Sequence, residues 1–597
     1  MREFFKFMFA SMLGTLVIGV VLMVLFFGMI AAIGAGLGSK GKPAKVKDGS
    51  VLHLTLDQRL VDRGDEEQLD IDLGPFSAES KVGLNQVLAA LEHAKKDDHI
   101  EGIFLDLTQV NGGFATLREV REKLVEFKKE SGKPVVAWAE FYTQGSYYIA
   151  SAADQVYLQP KGMLDYRGLQ SEYMFLKGLF EKLDVEMQFI RGSNNRFKSF
   201  GEVYTEDSMS AANEAQVRAL LDGLWTEHRA AVAEKTGIAA GDLDRIADGL
   251  EARNDTTARD LGLVDGLKYR DEVLADMKER MALDSKKEIA FVGLGKYLRS
   301  FDADADKGKG DAKLAVIYAE GGISSGESGD DVIGSTSLSA TLRKAREDSA
   351  VKAIVLRVNS PGGSGLASEV IWREVKLAAE AKPVVVSMGD VAASGGYYIS
   401  APAARIYAEP TTITGSIGVF GLVPNTEGFF NNKLGITFDG VKTHQHADMY
   451  NLNRPLTDHE KRMMQQWVDE FYAGFVERVA EGRKLTPAQV DSIGQGRVWT
   501  GTDAKARGLV DELGGLEDAI AAAAGLASLS EYRRVEMPEQ EDLLHKLLKD
   551  LNADARAWVA RQYLGEDAQL LEQFRLVREA RSRSGIQARM PFDLVVR

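Results

Sequence analysis

Two stretches of the chain repeat one another at a spacing near 250 residues, and this limits the possible folds more than any other feature. IEGIFLDL at 100–107 leads to Asn111-Gly112-Gly113, and VKAIVLRV at 351–358 leads to Asn359-Ser360-Pro361-Gly362-Gly363. KPVVAW at 133–138 recurs as KPVVVS at 382–387, and Tyr147-Tyr148 recurs as Tyr397-Tyr398. Gly262-Leu263-Val264-Asp265 returns as Gly508-Leu509-Val510-Asp511. Ordered matches at a nearly constant offset mean that one structural unit is built twice. Within each copy a short Val/Ile/Leu run ends on a Gly-Gly turn, a helical segment follows (117–129; 367–381), and Lys-Pro opens another apolar run. Buried strands joined by short helical crossovers make an α/β fold.

The expected organisation is an anchor and linker at 1–47, a first repeat at 48–281, and a linker at 282–313. A second repeat at 314–530 and a helical extension at 531–597 complete it. Between residues 7 and 39 there is no charge, and 16–33 holds only apolar side chains and glycine. That run is long enough to span a bilayer and long for the apolar part of a cleaved signal peptide, so an uncleaved transmembrane helix is expected. Arg2 and Lys6 precede the span, offset by Glu3, whereas Lys40, Lys42, Lys45 and Lys47 follow it. Charge alone therefore weakly favours the bulk of the chain in the cytoplasm, although large domains translocate regardless. Charged, Gly-containing residues at 302–313 predict a flexible link between the repeats. Leu543, Leu544, Leu547, Leu548 and Leu551 share one helical face in the extension. A long amphipathic helix closes each repeat. Thr457 and Glu460 form a capping box before Met463, Trp467, Phe471 and Phe475, while Val217, Leu221, Leu224 and Trp225 mark the first copy.

Composition removes several function classes. The net charge of −15 argues against a nucleic-acid binder. The absence of cysteine forbids disulfides, thiolate metal sites and thiol catalysis. No H-E-x-x-H pair and no phosphate-binding G-x-x-x-x-G-K-[ST] loop occurs, so neither a metal nor a nucleotide cofactor is expected.

The two copies differ where chemistry would sit. Ala393-Ser394-Gly395-Gly396-Tyr397-Tyr398 stands against Thr143-Gln144-Gly145-Ser146-Tyr147-Tyr148, so Ser394 aligns with Gln144. A serine between an apolar strand and a helix reads either as a helix cap or as a nucleophile exposed at the sheet edge. In the second reading, backbone N–H groups at Gly395 and at Gly362 or Gly363 could form an oxyanion hole. The polar loop 191–200 after the apolar run at 185–190 carries Lys198, which has no lysine counterpart near 445–448. Lys198 is either a solvated loop lysine or a base whose pKa is lowered by burial and by Arg191 and Arg196. His444 and His446 are the competing bases. Ser416, in the Gly-rich run 413–418, is a turn residue or a partner that orients a neutral lysine.

The motifs NSPGGS (359–364), GDVAASGGYY (389–398), TGSIG (414–418) and RFKS (196–199) together resemble the signal peptide peptidase A family, in its long bacterial form. The resemblance runs from about 51 to 526 and includes the anchor. It implies two tandem domains of the Clp protease/crotonase-like group and a Ser–Lys dyad, with Ser394 as nucleophile and Lys198 as general base. Ser416 matches the auxiliary serine, and Gly362 and Gly395 match the oxyanion donors. It further implies a homotetramer on the bacterial inner membrane, anchored in the lipid bilayer by the amino-terminal helix, with catalytic domains facing the periplasm. The implied substrates are residual signal peptides and other membrane-associated peptides. Two alternatives stay open from the residues alone: a crotonase-type acyl-CoA enzyme using the same glycine amides, and a non-catalytic membrane scaffold.

Overall fold

The computed structural model describes residues 44–64, 81–301, 308, 310–540 and 585–590, with isolated residues between 6 and 23. Two units emerge, and the larger comprises Val46–Leu298, Asp302–Gln540 and Gln569–Arg597. Everything below concerns that unit. The apolar run at 16–33 lies mostly outside the described residues, among which no helix is long and apolar enough to cross a membrane. The leucine face at 543–551 also lies outside them.

Duplication is visible strand for strand. The first sheet has the order Gly266–Leu267, Gln155–Leu164, Val135–Tyr142, Ile100–Asp106, Ser50–Leu54 and Ala290–Gly293, parallel throughout. In the second, Glu512–Leu513, Arg405–Ala408, Val384–Ala393, Val351–Ser360, Lys313–Glu320 and Arg533–Met537 take the same places. Parallel strands covered on both faces read as unbroken apolar runs. Leu314, Val316, Val355 and Val385 thus pack on the helix Leu516–Leu526, while Ala315, Ile317, Ile354, Leu356, Val384 and Val386 face the larger core on the opposite side.

These edge strands correct the expected boundaries. The segment 282–313 is no plain linker, because Ala290–Gly293 closes the first sheet. The extension does not begin at 531, because Arg533–Met537 completes the second sheet and Gly585–Arg589 is a strand elsewhere. Short edge strands with few apolar residues leave little periodicity to read.

The expected helices form as Phe114–Ser131 and Gly365–Ala381, the first stopped by Gly132 in the left-handed conformation (φ 71°). Asp458–Arg483 has the expected Thr457/Glu460 capping box, with the Thr457 N–H donating to Glu460 Oε2 at 2.8 Å. Its buried stripe is Met464, Val468, Tyr472, Phe475 and Val476, so Met463, Trp467 and Phe471 lie on its margin. In the first copy Val217, Leu220 and Leu224 are buried, whereas Leu221 and Trp225 are partly exposed.

A third sheet joins the repeats. Its order is Val332–Gly334, Gly322–Ser324, Gly362–Ser364, Gly585–Arg589, Phe420–Asn425 and Glu186–Arg191. The first-repeat strand Glu186–Arg191 runs antiparallel to second-repeat Phe420–Asn425, with Arg191 opposite Phe420 and Glu186 opposite Asn425. A buried charge network ties the repeats elsewhere. The Arg357 guanidinium, 0% exposed, donates to Asp62 at 2.7 Å, to Glu119 at 2.6 Å and to Ser387 Oγ at 2.8 Å. Glu119 in turn accepts the Leu516 N–H at 2.8 Å, and Asp390 accepts the N–H and hydroxyl of Thr116.

Candidate active site

The serine is positioned by strand pairing. Val384–Ala393 pairs through its last three residues with Ile413–Gly415, placing Ala393 opposite Gly415. The next residue on each strand, Ser394 and Ser416, therefore emerges at the same sheet edge. Ser394 donates its N–H to Gly415 O at 2.8 Å, and Ser416 donates its own to Arg497 O at 2.7 Å. Both serines have positive φ, 56° and 49°, a conformation that strains a residue with a side chain by roughly 1–3 kcal/mol. At Ser394 the strain accompanies an abrupt strand-to-helix turn, because the short helix Gly395–Ser400 begins at the next residue.

Lysine reaches this edge from the other repeat. After Glu186–Arg191 the loop folds against the second repeat. Gly192 N–H and the Asn195 side-chain amide both donate to Val419 O, and Phe197 N–H donates to Gln495 O at 3.0 Å. Gly496 makes this approach possible: a Cβ there would fall 2.6 Å from the backbone N of Lys198, and its φ is +81°. From within the first repeat, Gln216 holds the Phe197 carbonyl at 3.0 Å.

Lys198 Nζ then lies 2.8 Å from Ser394 Oγ, 2.9 Å from Ser416 Oγ and 3.2 Å from Ser416 O. Three partners suit a neutral amine. Its two N–H groups can donate to the carbonyl and hydroxyl oxygens of Ser416, leaving the lone pair for the Ser394 hydroxyl proton. Lys198, Ser394 and Ser416 are each 0% exposed. Burial drives the lysine pKa well below the usual value of 10.5, because the ammonium loses its hydration. Arg191 and Arg196, expected to help, are solvent-exposed, and Arg196 lies over the Phe197 ring. The lowering therefore rests on desolvation alone.

Gly362 and Gly395 are neighbours. A Cβ on Gly362 would fall 2.6 Å from Gly395 N, and the Gly362 φ of +91° suits glycine. The Gly362 N–H donates to Ser360 Oγ at 3.1 Å, so as an oxyanion donor it would share that proton. The histidines stand apart in an exposed loop, His446 against Glu460 at 3.0 Å and His444 against the Thr443 hydroxyl.

The equivalent position of the first repeat is filled. Gln144 donates to Gly168 O at 2.8 Å and accepts the N–H groups of Gly168 and Arg167, stapling a loop. His228 Nε2 lies 3.0 Å from Gln144 O, stacked between Trp225 and Tyr148, and burial holds its pKa down at about 4. Reading the sequence alone missed Gly496 and the Phe420–Asn425 partner strand. The only signal for the first was a glycine two residues after Gly494.

Comparison with known proteins identifies the family of the chain. The model of peptidase family S49 matches residues 127–284 and 376–530. "Protease 4" of Salmonella typhi is 38% identical over 89% of this chain and 88% of its own length. "Protease 4" of Haemophilus influenzae is 34% identical, covering 85% and 83% respectively. "Serine protease SPPA, chloroplastic" of Arabidopsis thaliana is 32% identical, covering 83% and 72%. Among solved structures, a ClpP1 N165D mutant from Listeria monocytogenes aligns with 34% of this chain and 94% of its own, at 15% identity and a TM-score of 0.24.

Proposed function

The chain belongs to peptidase family S49 and is a serine protease, and from that premise we propose that it is a membrane-anchored endopeptidase that clears residual signal peptides with a Ser394–Lys198 dyad. The observation that carries the dyad is the 2.8 Å approach of Lys198 Nζ to Ser394 Oγ, both side chains being fully buried. Ser394 attacks the scissile carbonyl while Lys198 takes its proton. The carbonyl carbon becomes tetrahedral, and its oxygen gathers charge facing the Gly362 and Gly395 amides. Lys198 then gives the proton to the leaving amine. Water deprotonated by the same lysine next releases the acyl group and restores the serine.

Ser416 acts as a positioning residue that fixes the amine lone pair on Ser394. Supporting the membrane assignment are the charge-free run at 7–39 and the resemblance to the long signal peptide peptidase A form. On this reading the catalytic domains face the periplasm as a homotetramer. Such a location brings the site to peptides left in the lipid bilayer.

Hydrolysis of a fluorogenic peptide by the detergent-solubilised protein tests the dyad. Ser394→Ala and Lys198→Ala are each expected to lower kcat by about 10⁴-fold or more, as loss of a nucleophile or its base does elsewhere. Wild-type rates in either variant overturn the assignment.

A further inference from the structure

We propose that Gln216 is a second positioning residue, whose side-chain amide sets where Lys198 stands relative to Ser394 and Ser416. Its effect on rate rests on the peptidase reading above, whereas the placement rests on geometry. Gln216 is 0% exposed and lies in the second turn of the helix Ala211–Thr236. Its Nε2 donates toward Phe197 O at 3.0 Å, Asn213 Oδ1 at 3.1 Å and Ser199 Oγ at 3.2 Å. Its Oε1 accepts the N–H of Val498, from the second repeat, at 3.4 Å. Phe197 and Ser199 are the residues on either side of Lys198. Val498 lies opposite Gly415, and its neighbour Arg497 accepts the Ser416 N–H at 2.7 Å. One amide group therefore grips both the backbone that carries the amine and the strand that holds the hydroxyl orienting it.

That amide can face only one way. The Glu202 carboxylate accepts the Ser210 hydroxyl at 2.6 Å, the Ser210 N–H at 3.1 Å and Asn213 Nδ2 at 3.1 Å. Asn213 Oδ1 is thereby turned to the Ser199 hydroxyl, which donates to it at 2.9 Å, and to Gln216 Nε2. Having given its proton to Asn213, the Ser199 hydroxyl accepts from Gln216. A flipped Gln216 amide would aim its oxygen at three acceptors and its NH₂ group at the Val498 N–H. Ser199, Glu202 and Asn213 are all buried, so water does not compete with this chain of bonds. The second repeat supplies the contrast. Ser210 and Thr457 each cap the closing helix of their own copy. Counted from those caps, Asn213 corresponds to Glu460, and Gln216 to Met463, which is partly exposed. That copy has no lysine at 445–448 to hold. The amide and the lysine occur together in one copy and are missing together from the other.

Gln216→Met gives the first repeat the residue of the second, removing donor and acceptor at similar side-chain length. Peptide hydrolysis by the full-length, detergent-solubilised variant should show kcat lowered about 10²-fold, the loss that goes with about 1 Å of misplacement, at a KM within about twofold of the parent. A parental kcat overturns the proposal. A rise in KM that accounts for the whole loss in kcat/KM assigns Gln216 to substrate binding and equally overturns it. Should Gln216→Met not fold, Gln216→Glu decides by the same criteria, because its ionised carboxylate accepts from Val498 but cannot donate to Phe197. Failure of both variants to fold gives the amide a role in the fold alone and overturns the positioning. A crystal structure of whichever variant folds reads the placement with no turnover. Lys198 Nζ is expected outside hydrogen-bond distance of Ser394 Oγ, and a pair still 2.8 Å apart overturns the proposal whether or not the protein cleaves peptides. A displaced amine in a protein whose parent cleaves no peptide upholds the positioning and counts against the peptidase reading instead.

Discussion

Lys198 is costly to the fold and, on the proposed mechanism, useful to the reaction for one reason. Desolvation lowers its pKa far below 10.5, so the folded chain holds a neutral amine where the unfolded chain holds an ammonium. Between the lowered pKa and 10.5 the unfolded state binds more protons, and the stability contribution therefore rises with pH through that window. Lys198→Met removes this dependence. Thermal melts near neutral pH should show the variant at least as stable as the parent, with the difference shrinking as pH approaches 10.5. Activity follows the same ionisation: kcat/KM should climb with pH through the depressed lysine pKa and level off above it, because only the neutral amine accepts a proton. A profile flat from mildly acidic to alkaline pH would refute this role. At this scale much was legible. Ser394, Lys198 and Ser416 were each singled out from local motifs and an asymmetry between the copies. That the lysine is desolvated without help from neighbouring arginines was not, since burial depends on chain segments hundreds of positions away.

Secondary elements explain how such distant residues meet. Strand Glu186–Arg191 leaves its own repeat and adds to the edge of Phe420–Asn425, and the loop that follows is laid over Gly496. Gly496→Ala places a methyl against the Lys198 backbone at a φ of +81°. The left-handed conformation alone costs about 1 kcal/mol for a residue with a side chain. Displacing the lysine by about 1 Å should lower kcat by about 10²-fold, measured by peptide hydrolysis, with a smaller change in KM. Strands and helices of the repeats were readable because parallel buried strands are apolar throughout and their connections carry Gly, Lys-Pro and capping residues. Edge strands were not. Ala290–Gly293 and Arg533–Met537 are short, and each is defined by its neighbour's open edge more than by its own pattern. The Asp458–Arg483 stripe was placed one position off because aromatic side chains drew the reading toward the partly exposed margin.

Across the whole molecule the repeats are joined by charge as well as by strands. Arg357 from one copy is held by Asp62 and Glu119 from the other, all nearly excluded from water. Removing the cation leaves the Asp62 and Glu119 carboxylates buried together without a counter-charge. Arg357→Ala should therefore lower the free energy of unfolding by about 3–5 kcal/mol, read from denaturant melts followed by intrinsic fluorescence. An unchanged melt would mean that the network adds nothing to docking. The duplication itself was plain in the sequence. The division of labour was legible only as a gap in each copy, a glutamine in place of serine and no lysine at 445–448.

The split ownership of the dyad carries one consequence for the cell. A newly made chain presents its amine early and its alcohol late, and neither is competent until the halves have docked. On the proposed dyad the molecule holds itself inactive until its halves dock, harmless to neighbouring polypeptides during synthesis. Severed halves produced separately should be inert, and only their reassociation should complement activity.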